Sequence, residues 1–572
     1  MNMLGVELID WIVIIAYLVG IIFIGLWAVK KVRSSASFFI GDRKFGKVMM
    51  AFFMFGSGTH SDQAVTVAAK TYGSGASGIW YQWLWLFVTP FFWLIAPFFR
   101  RMRAVTTGDY FEIRYGRGVS GLYAVMGILQ LLVAIGVMLK GSGAMVEAVS
   151  GGAISSKLAI IAMTVIFLLY GVAGGLSAAI ATNFIQGLLT IVLSFLILPF
   201  ALAKVGGMSG LREAVTPEML SLLTPHEITF FFIAVIAFNA LVAWVTMPET
   251  MANCAAGKTE MEGRIGVTVG IFGKRICTIA WMLTGLCAVV IYAGSELKDA
   301  DLVYGRMAND LLPDIAPGLI GLFIASMLAS IMSTCDALMV VASALFTENI
   351  YKKFLVPARE DKHYTFIGRI ISALIVACGI LFAFSLESVV EGLEIFWQVA
   401  AMMGIAFWVG LFWRRATAAG AWAGTLTSFG ILLFTSKIAF GNSTLWDFNK
   451  HLAGRLPAFM LFEGELYLPW QMILYLTAGF VVLVFVSLFT RRSPKEQLER
   501  LYDCLRTPIG ADEQEAEPFT LPPGVQPGPR SVLIQHPDFE IPKPSLIGIC
   551  GFLAAWLGVG LLIAAVYWMI QW

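Results

Sequence analysis

The stretch AFFMFGSGTHSDQAV, residues 51–65, sets Gly, Ser and Thr, then His60 and Asp62, into the middle of an apolar run. A run of about 20 apolar residues crosses roughly 30 Å of hydrocarbon as a helix. Within that layer the backbone finds no water, so its polar groups must be met by the helix itself or by neighbours. A polar, small-residue interruption there predicts a broken helix whose freed carbonyls face a cavity or a bound ion. The stretch ASIMSTCD (329–336) predicts a second interruption of the same kind.

Working outward, the whole chain has this character. Of 572 residues, 58% are hydrophobic and only 13% charged, where a soluble chain carries about a quarter charged residues. Hydrophobic runs predict an all-α membrane protein with about fourteen transmembrane helices, near 8–29, 46–69, 77–99, 119–149, 158–174, 177–203, 228–247, 265–293, 316–348, 365–386, 391–412, 416–436, 469–490 and 546–571. Glu7 and Asp10 stand where a signal peptide needs basic residues, so none is expected.

The net charge of +2 conceals a bias in sidedness. Loops after odd-numbered helices hold KKVR (30–33), RKFGK (43–47), RRMR (100–103), KK (352–353), RR (414–415) and RR (491–492), and 27 of the 39 Lys and Arg in all. Those loops are therefore cytoplasmic, which leaves both termini outside a cell (inner) membrane crossed many times. Helices 2–6 start inside and helices 7–11 outside, which permits two five-helix repeats of opposite orientation. The expected organisation is a peripheral helix and loop (1–45), a first repeat (46–203), a second repeat (204–412), and peripheral helices (413–490). A Pro- and charge-rich cytoplasmic linker with little fold of its own (491–545) and a final helix (546–572) complete it. The external segment 437–468 reads as a short lid or a passive connection.

An ionisable side chain within a membrane helix costs several kcal/mol unless paired or hydrated, so each is a functional candidate. They are His60 and Asp62, followed by Gln63, then Lys140, Glu147, Lys274 and Asp336. Snorkelling to the interface competes for Lys274, and simple exposure for Glu147. The seven cysteines, 254, 277, 287, 335, 378, 504 and 550, have no CxxC spacing and read as free thiols. No phosphate loop, metal-ligand cluster or nucleophile elbow is present, so the chain reads as no enzyme, and no nucleic-acid partner is expected.

Five stretches in order, FFIGDRKFG (38–46), TTGDYFEIRYG (106–116), YGVAGGLSAAIATNFIQG (170–187), ASIMST (329–334) and GLFWRRATAAGAWAG (410–424), resemble the sodium:solute symporter family. Sodium-coupled galactose, proline and sialic acid carriers belong to it. The resemblance implies the leucine-transporter-like 5+5 inverted-repeat core and symport of a small solute with sodium by alternating access. It implies a sodium site of carbonyls from Gly56, Thr59 and Ser330 and hydroxyls from Ser333 and Thr334. Oxygen ligands suit a hard cation, although Ser and Thr in membrane helices also bond their own preceding carbonyls. Family members carry an Asp on helix 6 where Asn183 stands here, and Asp336 lies one turn beyond Ser333, so the pair reads as a second ion or proton site. A structural pairing of Asp336 with Asn183 is the competing account.

Departures argue against a sugar. Ala243 replaces a gating Tyr, though Trp244 is retained, and MPETMANCAAGK (247–258) replaces a Gln-Arg pair. Ala401 replaces a Pro, and Phe396 replaces a sugar-contacting Gln. The substrate candidates are His60, Asp62, Gln63, Lys140, Trp244 and Lys274. Lys140, expected to face the central cavity, suggests a solute that bears a carboxylate. A transporter-like sensor, or a membrane subunit of a larger ion-translocating complex with a partner subunit, is the alternative. The repeated Lys and Glu positions of a proton-pumping subunit are not visible.

Overall fold

In the computed structural model the described residues are 2–3, 5–29, 46–104, 106–225, 227–294, 297–440, 443–510, 513 and 517–572. The side chains of 2–3, 24–29, 167, 169–184, 252, 255, 439–440 and 443 are not among them. Most of the FFIGDRKFG stretch therefore lies outside the described residues.

The main helices follow in chain order. Helix α1 is Leu8–Val29, α2 Lys47–Gly58, α3 Ser61–Ser74, α4 Thr89–Arg101, α5 Thr107–Tyr115, α6 Arg117–Val149 and α7 Ser156–Phe195. Then come α8 Phe230–Trp244, α9 Pro248–Ala255, α10 Glu260–Ile291, α11 Val303–Leu311, α12 Leu319–Ala344 and α13 Asp361–Ser385. The chain ends with α14 Val389–Ala400, α15 Gly404–Phe412, α16 Ala418–Phe434, α17 Leu468–Phe489, α18 Lys495–Arg506 and α19 Leu546–Gln571. Among the described residues nine helical spans are long and apolar enough to cross a membrane, and five shorter apolar helices accompany them.

The break predicted in 51–65 is present. Helix α2 stops at Gly58, Thr59 and His60 are extended, and α3 starts at Ser61. The second interruption is not where the sequence places it. Helix α12 runs unbroken through 329–336 and continues as a π-helical segment, Leu345–Leu355. Its hydroxyls turn back instead: Ser333 Oγ donates to Ser330 O at 2.9 Å and Thr334 Oγ1 to the same oxygen at 3.4 Å. The second break falls between α8 and α9. Pro248 lacks an N–H and has φ preset near −65°, so it opens a helix readily and continues one poorly. A further interruption at 401–403 separates α14 from α15. Where two helices were expected, at 158–174 and 177–203, the backbone is one helix, α7, about 60 Å long at 1.5 Å per residue.

The 491–545 segment also departs from expectation. Instead of a linker with little fold, it holds the amphipathic α18, whose Leu498, Leu501, Tyr502 and Leu505 are buried. Tyr502 Oη donates to Gly410 O at 2.8 Å, at the end of α15 where a helix leaves carbonyls unmatched. Buried Glu540 accepts from Arg414 at 2.8 Å, Arg506 at 2.6 Å and Arg530 at 3.0 Å. Arg103 makes a bidentate pair with Glu513, at 2.6 and 2.9 Å. Within this strap α18 carries an apolar periodicity, while polar anchoring holds the Pro-rich remainder.

Burial pushes the Glu540 carboxyl up, but the hydrogen bond from Arg506 and the charges of Arg506 and Arg414 outweigh it and hold the group below its ordinary 4.5. The folded state thus gains stability from Glu540 at neutral pH and loses it as pH falls below about 4.5. Glu540→Gln is expected to cost about 3 kcal/mol by leaving guanidinium groups unmatched. Thermal unfolding should show this loss at neutral pH, and the gap from wild type should narrow in acid.

Candidate functional site

Thr59, the residue between α2 and α3, lies against α12. Ser330 Oγ donates to Thr59 O at 3.3 Å, and Ser333 Oγ lies 3.5 Å from Thr334 Oγ1. Thr59, Ser330, Ser333 and Thr334 are all buried, and Thr59 Oγ1 has no hydrogen-bond partner among the described residues. A hydroxyl that gives its proton to Ser330 O still has lone pairs for a cation. Gly56 is buried on the last turn of α2. The structure thus brings Thr59 and the three α12 residues together.

Beside this cluster lies a cavity of about 150 Å³. Of the predicted substrate residues, His60, Asp62, Gln63, Trp244 and Lys274 line it, and Phe396 does too. His60 Nδ1 meets Asp62 Oδ1 at 2.8 Å, and Gln63 Nε2 lies 3.2 Å from His60 Nε2. Gln63 Nε2 donates to Gly58 O at 3.3 Å, and Lys274 Nζ donates to the same carbonyl. That carbonyl ends α2, where the helix dipole places partial negative charge, so an ammonium there is doubly favoured. Trp244 closes one wall, with its ring centroid 3.9 Å from that of Phe92.

Lys140 is not among the lining residues. Its Nζ donates to Leu386 O at 2.9 Å, at the end of α13. The expectation that it faces the central cavity is corrected: helical register turns it to the end of the neighbouring helix, where a carbonyl without a helical partner receives it. Asp336 is buried, and its Oδ1 has no hydrogen-bond partner among the described residues. The Asn183 side chain lies outside the described residues.

Sequence reasoning missed Glu249, Arg275, Gln82 and Asn253, which also line the cavity. Arg275 is 1% exposed and donates to Gln82 O. Glu249 stands in the first turn of α9, and the signal was Pro248-Glu249, a helix-start pattern in a stretch left between the expected helices 228–247 and 265–293. The second break has partners of its own: Thr250 Oγ1 donates to Trp244 O at 2.9 Å and Tyr123 Oη to Thr246 O at 3.0 Å.

A many-helix apolar bundle with broken helices around a small central cavity is the architecture of a secondary transporter. The model of the sodium:solute symporter family matches residues 38–428, and the chain belongs to that family. Sodium/glucose cotransporter 1 of Oryctolagus cuniculus is 24% identical over 552 residues, 87% of this chain and 81% of that protein. The sodium/glucose cotransporter of Vibrio parahaemolyticus is 25% identical, over 75% of this chain and 85% of its own. The osmoregulated proline transporter OpuE of Bacillus subtilis (strain 168) is 25% identical, over 75% and 89%. A solved sodium-coupled sialic acid symporter in a substrate-bound outward-open state shares the fold, with a TM-score of 0.70 at 17% identity over 86% of this chain and 99% of that one. The chain is a multi-pass membrane protein with the leucine-transporter-like fold, and it carries out sodium-coupled symport of a small solute.

Lys140→Met removes one charged donor from the Leu386 carbonyl and nothing from the cavity. It is expected to lower stability by about 2 kcal/mol while leaving solute affinity within twofold of wild type (about 0.4 kcal/mol). Thermal unfolding and solute titration on the same protein check both halves.

Proposed function

We propose that sodium binds where the Thr59–His60 break meets α12, with carbonyls of Gly56, Thr59 and Ser330 and hydroxyls of Ser333 and Thr334 as its ligands. The observation that carries this reading is the buried convergence of Thr59, Ser330, Ser333 and Thr334, with Thr59 Oγ1 left unpartnered. The solute occupies the adjacent cavity, whose Lys274 and Arg275 favour a carboxylate-bearing molecule. Asp336, buried and with Oδ1 unpartnered, takes a second ion or a proton, in place of the helix-6 carboxylate that Asn183 lacks.

Residues 46–203 and 204–412 act as the two opposed repeats. Their support is that the break in each falls in its first helix, α2–α3 and α8–α9. Alternating access then rocks one set of helices about the midplane site. The basic-residue bias supports a cytoplasmic face for the Lys- and Arg-rich loops.

Ser333→Ala and Thr334→Ala each remove one of about five oxygen ligands. Either is expected to weaken sodium binding by about 1–3 kcal/mol. Solute-free thermal stabilisation titrated with sodium, and with potassium as control, measures it. Equal responses of the wild-type protein to the two cations would end the ion-site assignment.

A further inference from the structure

Asp62 and Glu249 hold the same place in the two broken helices. Each is the second residue of a half-helix that starts at a break, and each lines the cavity. A helix N-terminus favours a carboxylate over a carboxylic acid. The two differ in what answers their charge. Asp62 has His60 at 2.8 Å, whereas Glu249 Oε2 is buried and has no hydrogen-bond partner among the described residues.

A second acceptor in the same cavity is also unanswered. Gln63 Nε2 donates to Gly58 O, which settles the orientation of the amide and leaves Oε1 buried and without a partner. An unmatched buried acceptor is expensive, so a cavity that keeps two of them is shaped for a ligand that donates. The opposite sign of charge is present too. Lys274 and Arg275 are buried, donate to the backbone carbonyls of Gly58 and Gln82, and among the described residues form no ion pair with Asp62 or Glu249. Fixed charges of both signs that line one cavity without direct contact fit a solute that carries both.

We propose that Glu249, with Gln63 Oε1, holds a protonated nitrogen of the solute, and that the solute is a zwitterion whose carboxylate faces Lys274 and Arg275. This assignment rests on the solute reading of the cavity given above, and it narrows the substrate to molecules of the amino-acid kind. Sugars lack both charges, and plain carboxylic acids lack the donor that Glu249 requires.

The test uses the purified full chain in sodium, with thermal stabilisation and calorimetric titration as readouts. The probes are alanine, leucine and proline, with propionate as an acid without the amine, ethylamine as an amine without the acid, and glucose. One or more of the amino acids should stabilise the protein, and the other three should not. Glu249→Gln should weaken amino-acid binding roughly 10- to 100-fold, while Glu249→Asp should retain the preference for zwitterions. Stabilisation by sodium alone should persist in Glu249→Gln, which reports that the variant is folded. Binding of glucose or propionate in place of amino acids, silence toward all three amino acids, or unchanged affinity in Glu249→Gln would overturn the assignment. Equal effects of sodium and potassium with amino-acid selectivity intact would instead overturn the ion site and leave this assignment standing.

Discussion

The bond from Lys274 to the carbonyl of Gly58 lets a helix stop in the middle of a bilayer. A helix end leaves its last carbonyls without partners, and hydrocarbon offers none. Lys274 and Gln63 answer Gly58, Ser330 answers Thr59, and the polar residues needed for this work then form the walls of a cavity. The α12 hydroxyl cluster and the cavity beside it are consequences of one requirement, that freed backbone oxygens face something positive. The second break is answered by neutral hydroxyls from Thr250 and Tyr123, so the two breaks differ in charge as well as in place.

The polar strap below the bundle solves a related problem by other means. Helix α15 ends with Gly410 O accepting from Arg114 at 2.8 Å as well as from Tyr502, and Phe412 O accepts from Glu540 N at 2.9 Å. Glu540 gathers arginines from the end of α15, from α18 and from the strap itself. The end of α15 is thereby tied to a segment more than 80 residues further along the chain.

How much of this was legible in the sequence depends on which force held each part. Membrane helices write themselves in hydrophobic runs, and most were placed within a few residues. The break at Thr59 was legible because small and polar residues are costly in a lipid-facing helix. The helix end before Pro248 was legible, but α9 beyond it was not, because eight mixed residues carry no long apolar run and only the Pro-Glu start marks them. In α12 the same small polar residues that predicted a break are absorbed by hydrogen bonds one turn back, so composition alone misled. Lys140 was placed in the cavity on its depth along α6, but the azimuth of a side chain on a long buried helix is set by packing. The strap escaped notice because ion pairs across hundreds of residues, such as Arg103 with Glu513, leave no local periodicity.

Helix α10 is a straight element of 32 residues that touches both halves of the broken helix. Toward α2 it presents Gly266 and Gly270, where an added Cβ would stand 2.8 Å from Met50 Cβ and 2.9 Å from Met54 Cβ. Toward α3 it presents Gly285, where an added Cβ would stand 2.9 Å from Ala68 O. Lys274 lies between the two seams. In mechanical terms α10 is a mast to which both halves are clamped, with one pin between the clamps. Met50 and Met54 seat over Gly266 and Gly270, and Ala68 and Thr71 over Gly285, so each half is held close to its own stretch of α10. A tilt of one half against the other also strains the polar attachment at Gly58. That attachment is electrostatic, so a change of charge in the cavity acts on it directly.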